Sequence, residues 1–266
     1  LEERHDALRL RVSADAPEQR LVPVGSLKLE LRHGPCTPQD MELAPMAFGF
    51  DAPLVRVALF REGATGCTLL FSAHHIIFDG WSSEVLLREL NAAYAAVLGG
   101  TAPTWPPLDT DYLSHVAWER GRETAGLDEL KAALLPLPER LRLPCDFPRP
   151  AVLGLAGGVE MFRLDVERGR ALKARAREAG TMLFPVLLAL VGTFLHRHTG
   201  QDDLIVGCPA ANRELAHTHG MIGLFVNTLA IRMSLQPDAG FDELVGSVDV
   251  AFRRALAAQS CPFEKL

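Results

Sequence analysis

No apolar run in this chain of 266 residues reaches the ~20 residues that a membrane-spanning helix requires; the longest candidate, Met182 to Leu195, contains Pro185 and reads as a core helix. The N-terminus lacks the charged and apolar pattern of a signal peptide. Positive charge is short as well. Lys and Arg number 27 against 33 Asp and Glu, and the net charge of −6 gives no general reason to expect binding to nucleic acid or to an anionic membrane. The five cysteines, Cys36, Cys67, Cys145, Cys208 and Cys261, are odd in number and far apart, with no C-x-x-C pair. Reduced, mostly packed thiols in the cytoplasm are the reading this supports. His196-x-His198 and His217-x-His219 have no carboxylate or thiolate at ligand spacing, so no metal site is expected and they read as helix-end and loop histidines. What remains, 48% hydrophobic and 23% charged residues, is the composition of a globular protein with a real core, in one large domain or two lobes.

Strand and helix patterns are mixed along the chain without strict alternation, which predicts an α+β fold. Leu1 to Leu10 reads as the end of a helix, and Leu21 to Val24 and Leu27 to Leu31 as short strands. Pro35, Pro38 and Pro45 mark Gly34 to Met46 as loop. Leu54 to Phe60 and Cys67 to Ala73 form a hairpin, and Leu69, Leu70 and Phe71 carry the continuous apolarity of a strand buried on both faces. Ser82 or Ser83 is the expected N-cap of the next helix, and Asp109 or Asp111 that of the one after. Pro136 to Gly158 is rich in proline and glycine and reads as a linker. Beyond it, a strand at Val159 to Leu164 and helices at Val166 to Ala179 and Met182 to His198 are predicted. Strands at Leu204 to Cys208 and Phe225 to Met233 come next, and Phe241 to Ala258 follows as a long amphipathic helix.

The chemistry concentrates at His74-His75-Ile76-Ile77-Phe78-Asp79-Gly80, at the end of the second hairpin strand. Imidazole exchanges protons near neutral pH. In one geometry His74 packs inward and fixes the turn while His75 projects into a cavity. Asp79 then holds the loop by pairing with a cation or accepting backbone N–H groups. Gly80 admits a ligand close to the backbone and offers an N–H to a developing oxyanion. The bland alternative is a pair of structural histidines at a strand end.

Ala73 to Ser82 closely resembles the signature of condensation domains in nonribosomal peptide synthetases, and other blocks of that family occur in the expected order. Arg4-His5-Asp6-Ala7-Leu8-Arg9 resembles its Arg-His-Glu-x-Leu-Arg block. Tyr112 to Trp118 resembles Tyr-x-Asp-Tyr-Ala-Val-Trp, with Ser114 and His115 departing from it. Ile222 to Thr228 followed by Arg232, and Gln259 to Glu264, are similar to two further blocks. The earliest block and the one after Pro-Phe-Glu have no counterpart, so the chain reads as a piece of something longer.

The resemblance implies two lobes like chloramphenicol acetyltransferase, arranged as a V-shaped pseudo-dimer with a tunnel between them. The implied boundaries are residues 1–140, a linker at 141–158, and a partial second lobe at 159–266. It implies amide-bond formation by an acyltransferase. A donor acyl or peptidyl thioester on the phosphopantetheine arm of an upstream carrier domain meets the amine of an acceptor aminoacyl thioester on a downstream carrier. An adenylation domain adjoins, no cofactor is bound by the domain itself, and neither nucleic acid nor membrane is a partner. His75 matches the family's active-site histidine. His74, Asp79 and Gly80 match supporting positions, and Arg213 is the candidate salt-bridge partner of Asp79 from the second lobe. Trp81, Ser82 and Asn227 are candidates for the layer behind them; for Trp81 and Asn227, packing outweighs substrate contact.

Three rival readings remain. An epimerization domain shares the histidine pair, but Gly80-Trp81-Ser82 and Phe225 to Thr228 favour condensation. A coenzyme A-dependent acyltransferase of the same superfamily fits the matches in the second lobe less well. A non-catalytic domain that recruits carriers is disfavoured by the intact His75, Asp79 and Gly80.

Overall fold

A computed structural model of the chain describes residues 1–13, 15, 18–43, 52–63, 66–121, 126–152, 154, 157–236 and 238–266. They fall into two compact units, Leu1–Glu123 with Ala211–Val226, and Thr124–Ala210 with Asn227–Leu266. In the first unit a 3-10 turn, Asp6–Arg9, leads into β1 (Leu10–Val12), paired antiparallel with β2 (Gln19–Leu21). The predicted helix end at Leu1 to Leu10 is therefore a single tight turn followed by a strand. A second sheet has the order β3 (Leu29–His33), β4 (Val55–Glu62), β5 (Gly66–Ala73), with β3 parallel and β5 antiparallel to β4. Between β3 and β4 lies a helix, α1 (Pro38–Leu43), where loop was expected. Pro38 sits in its first turn, where a missing N–H costs nothing, and Asp40 folds back to accept the Thr37 N–H at 2.9 Å. The rest of that expected loop, residues 44–46, lies outside the described residues.

The core of this unit gathers Leu8, Leu10, Val55, Ile77 and Val85 with Tyr112, Met221, Ile222 and Phe225. β4 is the central strand and is buried accordingly. β5 lies at an edge, with one neighbour among the described residues, and its Leu69 is 41% exposed, so the strand expected to be buried on both faces is not. Two helices complete the unit, α2 (Gly80–Leu98) and α3 (Tyr112–Arg120). Asp111 caps α3 by accepting the Ser114 N–H at 2.7 Å. The predicted end of that helix at Arg122 lies outside the described residues.

On the buried face of α2, Glu89 takes His5 Nε2 at 2.9 Å and Arg4 Nε at 3.0 Å, so both residues of the Arg4-His5 pair meet one carboxylate. Burial pushes this carboxyl upward, but the bonds to His5 and Arg4 outweigh it and hold it below its usual range. A carboxyl with a depressed folded-state pKa stabilises fully above its unfolded value and loses that contribution as pH falls through the folded one. The melting temperature should therefore fall as pH drops below about 4.3. Glu89→Gln should flatten that part of the stability profile, which a melting series in pH would show.

The second unit comprises α4 (Leu127–Leu134), α5 (Val166–Glu178), α6 (Leu183–Thr199), the antiparallel pair β6 (Asp203–Ala210) and β7 (Asn227–Ser234), and α7 (Phe241–Ala257). Alternation along β7 divides its two faces. Leu229, Ile231 and Met233 join Val186, Ala189, Val245 and Val248, while Ala230 joins Leu130, Leu134, Ala258 and Cys261. β7 begins at Asn227, because Phe225, predicted to lie in this strand, packs into the core of the first unit instead. α6 is less buried than its composition predicts, with Phe194 60% exposed. Val159 to Leu164 is not paired as a strand, and Phe162 is 87% exposed.

The boundaries differ from those expected at residues 140, 158 and 159. The second unit starts earlier because α4 packs against Ala230 and Ala258. The proline-rich stretch belongs to that unit rather than to a free linker. Gln201 accepts the Arg142 N–H at 2.8 Å and Leu141 packs on the core. Conversely, Ala211–Val226, which continues β6 and precedes β7, belongs to the first unit. None of the five cysteines is in a disulfide; Cys208 and Cys261 are buried, whereas Cys67 and Cys145 are exposed rather than packed. Among the described residues no single helix is long and apolar enough to cross a membrane.

Candidate active site

Strand β5 pairs with β4 as far as Ala73 opposite Val55, and one more bond, His74 N–H to Leu54 O at 2.8 Å, carries the chain out of the sheet. The next residues close into a 3-10 turn, His75–Ile77. His74 is its cap: the Nδ1 atom accepts the Ile76 N–H at 3.0 Å, which requires that the ring proton of neutral His74 sit on Nε2. His74 thus fixes the turn as expected, but from an exposed position rather than by packing inward. Ile77 anchors the turn in the core at 1% exposure, and His75 projects outward, exposed.

Asp79 then ends the turn and caps α2. The sequence pointed to Ser82 or Ser83 for that cap, yet the helix already begins at Gly80, and the Asp79 carboxylate accepts the Ser82 N–H at 2.8 Å. An acidic N-cap also suits the positive end of the helix dipole. Asp79 is 2% exposed and its two oxygens are fully engaged. Oδ1 and Oδ2 lie 3.0 and 3.1 Å from Arg213 Nη2, and Oδ2 accepts the Phe225 N–H at 3.1 Å. Arg213 is the partner named from the sequence, although it comes from a segment of the first unit and not from the second lobe.

Arg213 is equally enclosed. Its Nη1 donates to Thr218 O and, at 2.9 Å, to Met221 O, and its guanidinium lies 3.9 Å from the centre of the Phe225 ring. Burial pulls its pKa below the usual range, and the Asp79 charge works against that pull. Nε has no hydrogen-bond partner among the described residues, so Asp79, the two carbonyls and the Phe225 face carry the compensation for this buried charge.

Ser82 is the hub that sequence reasoning ranked too low. Its hydroxyl lies 2.7 Å from Asp79 Oδ1 and 2.9 Å from Gly223 O and has one proton for the two. It accepts from Gly223 N–H at 3.0 Å and from Arg213 Nη2 at 3.1 Å. The signal was there in the Ile222-Gly223-Leu224-Phe225 block, whose glycine has a steric reason. A Cβ on Gly223 would meet the Tyr112 ring at 2.4 Å and the Phe225 ring at 2.9 Å. Tyr112 cannot yield easily, because its hydroxyl donates to Leu224 O at 3.0 Å and burial pushes its pKa up to about 12, keeping that proton in place. Gly223→Ala should destabilise the chain by about 1–3 kcal/mol, the usual penalty for overpacking, measurable by denaturant titration.

Gly80 has the opposite surroundings. Among the described residues nothing beyond its chain neighbours and its own helix backbone lies within 4 Å of where its Cβ would be, and it is the first residue of α2. As the first residue of α2 its N–H has no intrahelical acceptor. Among the described residues the fold therefore leaves open space at the N-terminus of α2, next to the His75 turn. Trp81 is partly exposed and donates Nε1–H to His219 O at 3.1 Å. Asn227 is not part of this constellation. In the second unit its Nδ2 donates to Gln259 O and Cys261 O, and its Oδ1 accepts from Phe263 N–H, which ties down the last residues. Among the described residues no group of three His, Cys, Asp or Glu side chains is disposed to hold a metal. His196 does find a carboxylate, Asp202 at 2.9 Å, that its sequence neighbourhood was read as lacking.

The family model described as Condensation domain matches residues 1–266. The chain is 39% identical over 218 residues to phosphinothricin tripeptide synthetase PhsB of Streptomyces viridochromogenes, covering 80% of the chain and 18% of that protein. It is 34% identical over 284 aligned positions to malpinin synthetase of Mortierella alpina, covering 99% of the chain and 4% of that protein. The chain thus corresponds to a small part of each of these relatives. Its fold is similar to the crystal structure of the X-domain from teicoplanin biosynthesis, with a TM-score of 0.86 and 26% identity over 99% of this chain and 62% of the other.

Proposed function

The chain belongs to the condensation-domain family, and we propose that it forms amide bonds between two carrier-borne thioesters, with His75 as the catalytic residue. The observation that carries this reading is the way His75 is held. It is an exposed imidazole at a strand end braced on both sides, by the His74 cap before it and by the buried Asp79–Arg213–Ser82 network after it. Such bracing costs folding energy in a buried ion pair and leaves the imidazole itself free to meet substrate.

The amine of an acceptor aminoacyl thioester attacks the carbonyl of a donor acyl or peptidyl thioester. The tetrahedral intermediate collapses, the donor's thiol leaves, and the lengthened chain remains on the acceptor arm as an amide. An α-amine titrates near 8, so a fraction is already neutral at neutral pH. His75 either removes the ammonium proton formed on attack or holds the amine in line, and both roles require the imidazole Nε2 or Nδ1 to face it. The open space at Gly80 suits a thioester carbonyl drawn up to the N-terminus of α2, whose first N–H groups stabilise negative charge on the oxygen. His74, Asp79, Arg213 and Ser82 hold the scaffold. Phosphopantetheine arms of an upstream and a downstream carrier domain supply the substrates, and an adenylation domain loads the acceptor. The likeness to a tripeptide synthetase supports this setting.

Tethering is what separates this reading from a coenzyme A-dependent acyltransferase. Offered a donor-loaded and an acceptor-loaded carrier domain, the protein should form product, and a free acyl-coenzyme A with a soluble amine should be a far poorer pair. Equal turnover of the free pair would replace the proposal by the acyltransferase reading.

A further inference from the structure

Two histidines outside this machinery meet behind it. His115 on α3 is 6% exposed, and its Nδ1 lies 3.3 Å from Nε2 of His217, which sits in the 3-10 turn Ala216–Gly220. One imidazole donates and the other accepts. His115 also touches the same segment at a second point, its ring centre lying 5.0 Å from that of Phe225. Phe225 performs two tasks for the site, giving its N–H to Asp79 and its ring face to Arg213. Tyr112, one turn earlier on α3, meets the Phe225 ring edge-on at 5.4 Å. The helix therefore backs the segment at residues 217 and 225, on either side of the carbonyls of Thr218 and Met221 that Arg213 binds.

We propose that His115 and His217 are positioning residues for the reaction at His75. Their hydrogen bond sets the register of residues 216–225 on α3, hence the place of Phe225, the Asp79–Arg213 pair and the turn that carries His75. The proposal rests on the reading of His75 given above. Position 115 departs from the block that Tyr112 to Trp118 resembles.

The test uses His217, which is only half-buried, in three forms. His217→Ala removes the bond, and His217→Gln can restore it, since an amide both donates and accepts. Loss of one neutral hydrogen bond predicts a fall in kcat of about three- to tenfold for His217→Ala, with KM for the acceptor carrier unchanged. His217→Gln should recover to within about twofold. In parallel, the ring resonances of His75, followed by NMR in the protein alone, should move in His217→Ala and return in His217→Gln. His115→Phe, which keeps a ring against Phe225, gives a second route to the same loss. Unmoved His75 resonances in His217→Ala, or a His217→Gln variant as impaired as His217→Ala, would overturn the positioning role. If the wild-type protein forms no amide, the reading of the reaction fails, while the resonances still decide the positioning.

Discussion

Replacing His75 by alanine should lower amide formation by about 10²- to 10⁴-fold, the span of general acid–base contributions, and leave the melting temperature where it was. The two halves of that result come from different features. The loss of rate follows from the proposal that this imidazole meets the attacking amine. The unchanged stability follows from geometry, because the His75 side chain is exposed and makes no hydrogen bond among the described residues; its backbone oxygen, which accepts from Phe78 N–H, survives the substitution. Should positioning of two tethered substrates supply most of the acceleration, the loss sits at the lower end of the range. A pH profile of the wild type then lacks an imidazole limb. A variant that formed amide at the wild-type rate would remove His75 from the mechanism altogether.

Asp79→Ala should behave in the opposite manner, as a folding lesion that also costs activity. It strands the Arg213 guanidinium in a place where it is buried with one nitrogen already unpartnered among the described residues, and it removes the acceptors of Ser82 N–H and Phe225 N–H together. Breaking one partner of a buried ion pair typically costs about 3–5 kcal/mol. The burial that already pulls down the Arg213 pKa would then act without the opposing carboxylate. Arg213→Ala should be similarly severe, since it leaves the buried Asp79 carboxylate without its cation and removes the guanidinium bonds to Thr218 O and Met221 O. Because both variants break one network, the double variant should cost clearly less than the sum of the two. Denaturant titration of the four proteins checks this. Strict additivity would mean that the pair does not act as a unit, and a wild-type midpoint for Asp79→Ala would mean that it contributes nothing.

The parts of this site that the sequence announced are those whose chemistry is local. His74, His75, Asp79 and Gly80 lie within one turn and a helix start, so the pattern of residues predicts a capped turn with an imidazole on it. The pairing of Asp79 with Arg213 was legible only through resemblance, because 134 residues separate the two and no periodicity links them. Burial was where reading from pattern failed. Leu69 to Phe71 has the composition of a central strand, yet sheet order is a long-range property, and β5 stands at an edge. Ser82 looked like a helix cap because serine often is one. The approach of Gly223 and Arg213 shows that its hydroxyl is used across the chain. The passage of Ala211–Val226 into the first unit was invisible for a similar reason. β6 and β7 pair directly on either side of it, and a hairpin with a long loop reads as one domain until the loop's Met221, Ile222 and Phe225 are found in another core.

The most direct test gives the wild-type protein an isotopically labelled donor thioester on one carrier domain and an aminoacyl thioester on another, and weighs the acceptor arm by mass spectrometry. The acceptor arm should gain the mass of the donor acyl group, in an amide that survives release of the arm, and His75→Ala should form it slowly or not at all. An acceptor arm of unchanged mass would contradict the proposed reaction. So would exchange of the α-proton on a tethered aminoacyl group without transfer, since that is the behaviour of an epimerization domain.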